Sequence, residues 1–335
     1  MADAKKKPVK WSMHSATPIF LLLVSIPVSM LMWAGNLAFT RLKLGSGEVI
    51  PPTRWLAATL IPLAFAAWGL KKKNINKSGA LIGLLIAFIL TLASYAFLVD
   101  LIVFFVTSSK ATKYKQSVKN KLDVSFQEGS QRNWIQGLCN LGMAAQLAVL
   151  YLLDSGSGER PIDFSNDFGS SWLSLGVLGA MACGNADTWA SELGTVLSKQ
   201  DPFLITTGKR VPKGVNGGVS WIGLVLSFLG GAVVGVGHFL VLYFCSIPPT
   251  SQPQWKIIPI AAFAGLIGSI IDSLLGATLQ YSGLNKKNGM IVETPGPGVE
   301  YICGCRVLDN HSVNLLSTIL TGLITPRIAV FFWPR

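Results

Sequence analysis

Between Gly79 and Ser108 the chain is almost wholly apolar, interrupted by Thr91, Ser94, Tyr95 and Asp100. A run of this kind belongs in lipid, where backbone groups must bond within their own segment, so it is helical. One straight helix of that length would measure about 45 Å, well beyond the hydrocarbon thickness. Seven further apolar runs flank it, at about residues 17–39, 55–70, 134–153, 171–193, 219–244, 257–279 and 313–332. Only 13% of residues are charged, about half the usual share of a soluble protein. Period-2 patterning is weak, which argues against a β-barrel. The expected fold is all-α: a polytopic transmembrane helical bundle of about 8–9 spans.

Charge sets the topology. Lys and Arg concentrate in loops 71–77, 110–132, 199–213 and, less strongly, 286–306. The positive-inside tendency puts all of them in the cytosol. That parity requires 79–108 to cross twice, as a hairpin bent near Ser94. Nine spans follow, with the N-terminus cytosolic and the C-terminus outside. Residues 1–16 form a basic cytosolic tail. Residues 17–335 form one transmembrane domain with cytosolic loops 71–77, 109–132, 195–218 and 281–312. The acidic 154–167 loop and the Pro-rich 247–253 loop fall outside. The first run is long and has no evident cleavage site, so it reads as a span rather than a signal peptide. The tail lacks the Ser- and Arg-rich character of an organelle transit peptide, and the endoplasmic reticulum or another endomembrane is the expected location. The net charge of +12 is topological and does not point to nucleic acid. Sequons at Asn76 and Asn310 would stay bare; a glycan on either would invert the topology. Cys139, Cys183 and Cys245 read as packing residues. Cys303 and Cys305 have too few neighbouring ligands beyond His311 for a zinc site.

Four groups carry possible chemistry. Asp187 and Ser191 share a helix face, with Asn185 and Glu192 in the same two turns. Carboxylates inside a span are costly and line cavities or pair. Asp187 with Glu192 or Asn185 suits Mg²⁺ bridging to phosphates; the bland reading is a buried polar cluster. Next, Lys209, Arg210 and Lys213 precede the Gly214–Gly218 turn. Asn216, Gly217 and Gly218 are expected to open the following helix, whose amides favour an anion. An ordinary positive-inside loop competes with this, and Lys199 fits that better. No Walker A motif occurs. Third, Gly268, Asp272, Gly276 and Gln280 form a stripe that allows close helix approach while Asp272 faces the neighbour. Fourth, Lys110 and Lys113 end a span and could meet a polyanionic head group. Lys115, Lys119 and Lys121 equally suit a solvated loop over anionic lipid.

The segments SSKATKYK, EGSQRNWIQ, GNADTWASELG, KGVNGGVSW, GSIIDSLLGATLQ and DNHSVNLLS together resemble a known family. It is the integral membrane proteins typified by transmembrane protein 19, which include the plant phytyl-phosphate kinase of tocopherol synthesis. The resemblance covers roughly residues 75–330. A looser likeness to dolichol and phytol kinases and phosphatidate cytidylyltransferases lies in Asp187, Ala190, Ser191 and Gly194. These follow an Asp-x-x-Ala-Ser-x-x-Gly pattern, and Lys213 to Gly218 supplies the loop. The resemblance implies phosphoryl transfer from a nucleoside triphosphate, CTP being one candidate, to an isoprenyl monophosphate. Asp187, Glu192 and Asp272 would hold Mg²⁺. Lys209, Lys213, Lys110 and Lys113 would neutralise phosphate. Asn185, Ser191, Asn216, Gly217, Gly218 and Gln280 would orient substrate and nucleotide. The alternatives are an anion or lipid-phosphate transporter and a scaffold without chemistry. His238 reads as a packed histidine. The oligomeric state is open.

Overall fold

The computed structural model describes residues 13–43, 49–116, 131–246 and 252–333. The basic tail up to residue 12, the segment 117–130 with Lys119 and Lys121, and most of the 247–253 loop lie outside those residues. Nine long helices are described. They are α1 (Met13–Lys43), α2 (Pro52–Lys71), α3 (Lys77–Ala93), α4 (Tyr95–Lys113), α5 (Trp134–Asp154), α6 (Phe168–Trp189), α7 (Trp221–Cys245), α8 (Ile257–Leu279) and α9 (Asn310–Ala329).

The long apolar run folds back on itself at Ser94, whose φ of −157° and ψ of 143° are extended. Ser94 caps α4 by accepting from the Ala96 amide at 3.1 Å. A broken helix exposes backbone groups that lipid cannot satisfy. The loop after α5 takes them up. Gly158 N–H donates to the Ala93 carbonyl at 3.0 Å, Ser157 Oγ to the Leu92 carbonyl at 2.6 Å, and Tyr95 N–H to Glu159 Oε1 at 2.7 Å. Arg54 from α2 grips the same carboxylate, with contacts of 2.8 to 3.0 Å. At the other end, the start of α3 and the end of α4 meet at Arg132. Asn76 N–H donates to the Arg132 carbonyl at 3.0 Å, and the Arg132 guanidinium donates to Ser108 and Ser109, each at 3.0 Å. The hairpin expected from charge parity is therefore present.

Five described helices are individually long and apolar enough to cross a bilayer: α2, α4, α5, α7 and α8 with its leading turn, Gln254–Leu279; α3 is apolar but shorter. That is fewer than the eight or nine spans expected. The physical reason is visible in α6. Residues 170–186 are all buried or nearly so, because α4, α5, α7, α8 and α9 surround the helix. A helix walled in by protein needs no apolar face toward lipid, so it can be built from Gly, Ser, Ala and Asn. Close approach depends on those small residues. A Cβ on Gly268 of α8 would sit 2.6 Å from Cys183 Sγ of α6. Asp100 (α4), His238 (α7) and Ser174 (α6) form a chain, His238 Nδ1 lying 2.8 Å from Asp100 Oδ2 and Nε2 3.2 Å from Ser174 Oγ. All three are buried. His238 is thus a packing histidine, tied to two other helices.

The expected loop at 281–312 is partly a sheet, a departure from all-α. Strands β3 (Ser282–Asn285), β4 (Met290–Val292) and β5 (Val299–Cys303) pair antiparallel in the order β4-β3-β5. Ile291 and Cys303 face inward onto Ala277, Val215 and Leu204, the alternation a half-buried strand needs. Burial pushes the Cys303 thiol up. Cys305 is exposed. A second, two-residue pairing joins β1 (Phe203–Leu204) to β2 (Gly218–Val219).

Candidate functional site

Helices α5, α7 and α9 start, and α4, α6 and α8 finish, around one cavity of about 750 Å³. Asn133, Ser220 and Asp309 cap the three starts by accepting from the amides of Gln136, Gly223 and Ser312 at 2.8 to 3.1 Å. Three positive dipole ends thus converge on one space. The cap serine also corrects an expectation. The Gly214–Gly218 turn does not itself open α7; β2 and Ser220 intervene.

Asp187 (α6) and Asp272 (α8) both line this cavity. Their carboxylates repel each other, and Glu192 adds to the repulsion on Asp187. Asp272 accepts from Ser317 Oγ of α9 at 3.0 Å, so its small-residue stripe faces a neighbour as expected. Asp187 is followed by a π-helical turn, Ala190–Gly194. A π turn holds one more residue than an α turn. The turn carries Ser191 and Glu192 along the cavity wall. Ser191 Oγ donates to the Asp187 carbonyl at 2.9 Å.

Of the lysines expected here, Lys113 and Lys213 line the cavity, whereas Lys110 and Lys209 are exposed outside it. Lys113 Nζ donates to the Lys72 carbonyl at 2.6 Å. Lys213 Nζ donates to the carbonyls of Thr195 and Ser198 at 3.1 and 2.5 Å. Both ammonium groups are thereby fixed on helix-end carbonyls. Asn185 does not line the cavity. Its amide accepts from Thr107 and donates to the Gly230 carbonyl, both at 2.8 Å, inside the bundle. It tethers α6 to α4 and α7.

Asn216, Gly217, Gly218 and Gln280 all line the cavity. Gly217 has φ +75°, and a Cβ there would lie 2.6 Å from the Ser273 carbonyl. Only glycine lets this turn lie on α8. Gln280 is 3% exposed and its Nε2 has no partner among the described residues. The same holds for His311 Nδ1 and Asn314 Oδ1 on α9, which line the same cavity.

Arg132 also lines the cavity, beside Lys113 and Lys213. Burial pulls its guanidinium down to about 10, against a smaller opposing pull from Glu192. It stacks near Phe104 and Phe105, 5.7 and 5.9 Å from their centroids. Sequence reading passed over it because it looked like one more loop cation. Asn140, Asn310 and Asn314 were missed too, yet they left a signal. Asn310, Asn314, Ser317 and Thr321 recur at helical spacing in a span, a polar stripe on one face.

The charge of the lining is informative. Asp187, Glu192, Asp272, Glu293 and Asp309 stand against Lys113, Arg132 and Lys213, five acids to three bases. A polyphosphate entering such a space would need a cation. Among the described residues no three His, Cys, Asp or Glu side chains cluster as a ready metal site. Mg²⁺ characteristically takes one or two carboxylates and completes its shell with water and phosphate oxygen. Asp187 and Asp272 fit that use, whereas Glu192 lies in the field of Arg132.

Fold and site together define a helical integral membrane protein with a charged cavity where its helices end. The chain belongs to the family described as Integral membrane protein DUF92, which matches residues 60–322. It is 40% identical over 288 residues to Protein PGR of Arabidopsis thaliana, covering 85% of this chain and 100% of that protein. It is 31% identical over 157 residues to the uncharacterized membrane protein MJ0933 of Methanocaldococcus jannaschii, covering 47% of this chain and 52% of the other. A third relative, the uncharacterized membrane protein sll0875 of Synechocystis, is 32% identical over 187 residues, with 55% and 63% covered. No solved structure matches the chain.

Proposed function

We propose that this protein is a membrane-embedded isoprenyl-phosphate kinase. It transfers the terminal phosphate of a nucleoside triphosphate, CTP being one candidate, to a prenyl monophosphate at the cytosolic face of an endomembrane. An oxygen of the lipid phosphate attacks the terminal phosphorus, and the nucleoside diphosphate leaves. The observation that carries the reading is the meeting of Asp187 and Asp272, from separate helices, with Arg132 and Lys213 in one cavity. Phosphoryl transfer asks mainly for positioning and charge stabilisation, so no nucleophilic side chain is needed. Bound Mg²⁺ would neutralise charge on the phosphate oxygens. Asp187 and Asp272 would hold it, while Arg132, Lys213, Asn216 and Gln280 orient oxygens around it. Ser317 keeps the Asp272 carboxylate turned to the cavity. Asp187 lies in the last turn of α6, the placement expected of a surface enzyme rather than a midplane transporter, whereas Asp272 lies nearer the middle of α8 than its end.

The test is an assay of purified protein with radiolabelled nucleotide, Mg²⁺ and geranylgeranyl or phytyl phosphate. Wild type should yield labelled diphosphate, and Asp187→Asn and Asp272→Asn should each lose at least two orders of magnitude in rate, about 3 kcal/mol. Label transfer unaffected by either change, or none from wild type, would remove the kinase reading.

A further inference from the structure

A second, apolar cavity lies beside the charged one. It sits between α2, α3, α4 and α5 and is walled by Pro62, Phe65, Ala80, Gly83, Leu101 and Phe105, among others. Its wall is shared with the charged cavity at Arg132, Asn133, Gln136 and Asn140. The two spaces therefore meet at one guanidinium. Phe104 and Phe105, over which that guanidinium lies, also line the apolar side. Polarity changes from charged to apolar within the reach of a single side chain.

From this junction we infer that the apolar groove holds the head-proximal part of the hydrocarbon chain of one anionic lipid, whose phosphate lies on the charged side at Arg132. The inference rests on reading the charged cavity as a lipid-phosphate site, and it says where the tail goes. Charge complementarity selects the occupant. Arg132 spends two guanidinium nitrogens on Ser108 and Ser109, and a guanidinium has five N–H donors in a fork suited to phosphate. A neutral apolar guest would gain nothing from that end of the groove.

The groove encloses about 90 Å³, less than the roughly 150 Å³ of a cavity that admits benzene. It takes the first isoprene carbons and leaves the rest of the chain among bilayer lipids. Lipid tails are as apolar as the groove wall, so burial there adds little affinity. The groove acts sterically instead: it aligns the chain so that the phosphate reaches the cavity.

Gly83 makes this testable. It lines the groove, and a Cβ built on it meets nothing within 4 Å. A larger side chain would enter the groove from a Cβ that itself displaces no protein, and any residue but proline favours the helix over glycine. The experiment measures binding of geranylgeranyl phosphate and of CTP with Mg²⁺ to the full chain in nanodiscs, for wild type, Gly83→Leu and Gly83→Phe. Gly83→Phe should weaken the prenyl phosphate at least tenfold, Gly83→Leu less, with CTP unchanged. If wild type binds both ligands and Gly83→Phe binds the prenyl phosphate equally well, the groove assignment fails and the cavity reading survives. If wild type binds neither, both fail. Should Gly83→Phe not fold, a geranylgeranyl phosphate with a photoreactive group near its head decides on wild type alone. Labelled peptides from α3 and α4 support the groove; labels confined to α7 and α8 overturn it.

Discussion

Replacing Arg132 with Met separates a binding cation from a structural one. Burial brings the guanidinium down to about 10, a shift that corresponds to about 3 kcal/mol. Part of the side chain faces the cavity, where water screens it, so the figure is a ceiling. Against it stand the two hydrogen bonds to Ser108 and Ser109, each worth about 1.5 kcal/mol with a charged donor. The two terms nearly cancel. Arg132→Met should therefore leave ligand-free stability within about 1 kcal/mol of wild type. Ligand should tell them apart. At a hundredfold excess over Kd, geranylgeranyl phosphate should stabilise wild type by about 2.7 kcal/mol and the variant by none. Thermal unfolding of both proteins in detergent, with and without the lipid, reads the difference. A variant that keeps the ligand shift would refute the argument. So would a ligand-free loss of about 3–5 kcal/mol, the mark of a broken buried pair. The pH dependence has a definite sign. The folded value, about 10, lies below the unfolded one, so between the two the unfolded chain holds more protons. Wild type should gain stability relative to the Met variant as pH rises through that window, the burial penalty being fully present below it.

Glu159→Gln should cost about 3–5 kcal/mol in thermal unfolding, because Arg54 is left buried without its partner. The double variant Arg54→Leu, Glu159→Leu should cost less than either single change, and a larger cost would refute the clasp. Asp309→Ala removes the cap of α9 and should cost about 1 kcal/mol. The bonds from Ser312 hold the Asp309 carboxyl below its ordinary 3.8. This contribution is present above that value and fades as pH falls through the lowered one, so wild type and Asp309→Ala should converge in acid.

How much was legible in the sequence depended on whether a residue's role was local. The break at Ser94 could be read because charge parity and helix length left few alternatives, and Ser94 supplies its own cap. Asp187 and Asp272 could be singled out because a carboxylate in an apolar helix needs a partner wherever it sits. The same rule could not say that Asn185 had already found its partners in Thr107 and Gly230. Lys209 and Lys213 look alike in a basic loop, yet the β1–β2 pairing and the turn after it put Lys213 on the cavity wall and leave Lys209 in the open.

By itself, the order of residues determined that this chain is a membrane bundle, where its helices break, and which carboxylates could not be idle. These follow from lipid's intolerance of unpaired backbone and lone charge. The tertiary structure decided which helix sits at the centre, that Arg132 and not Lys110 or Lys209 reaches the cavity, and that an apolar groove adjoins it. Those outcomes depend on which side chains residues far apart in the chain meet, and helical periodicity carries no record of that.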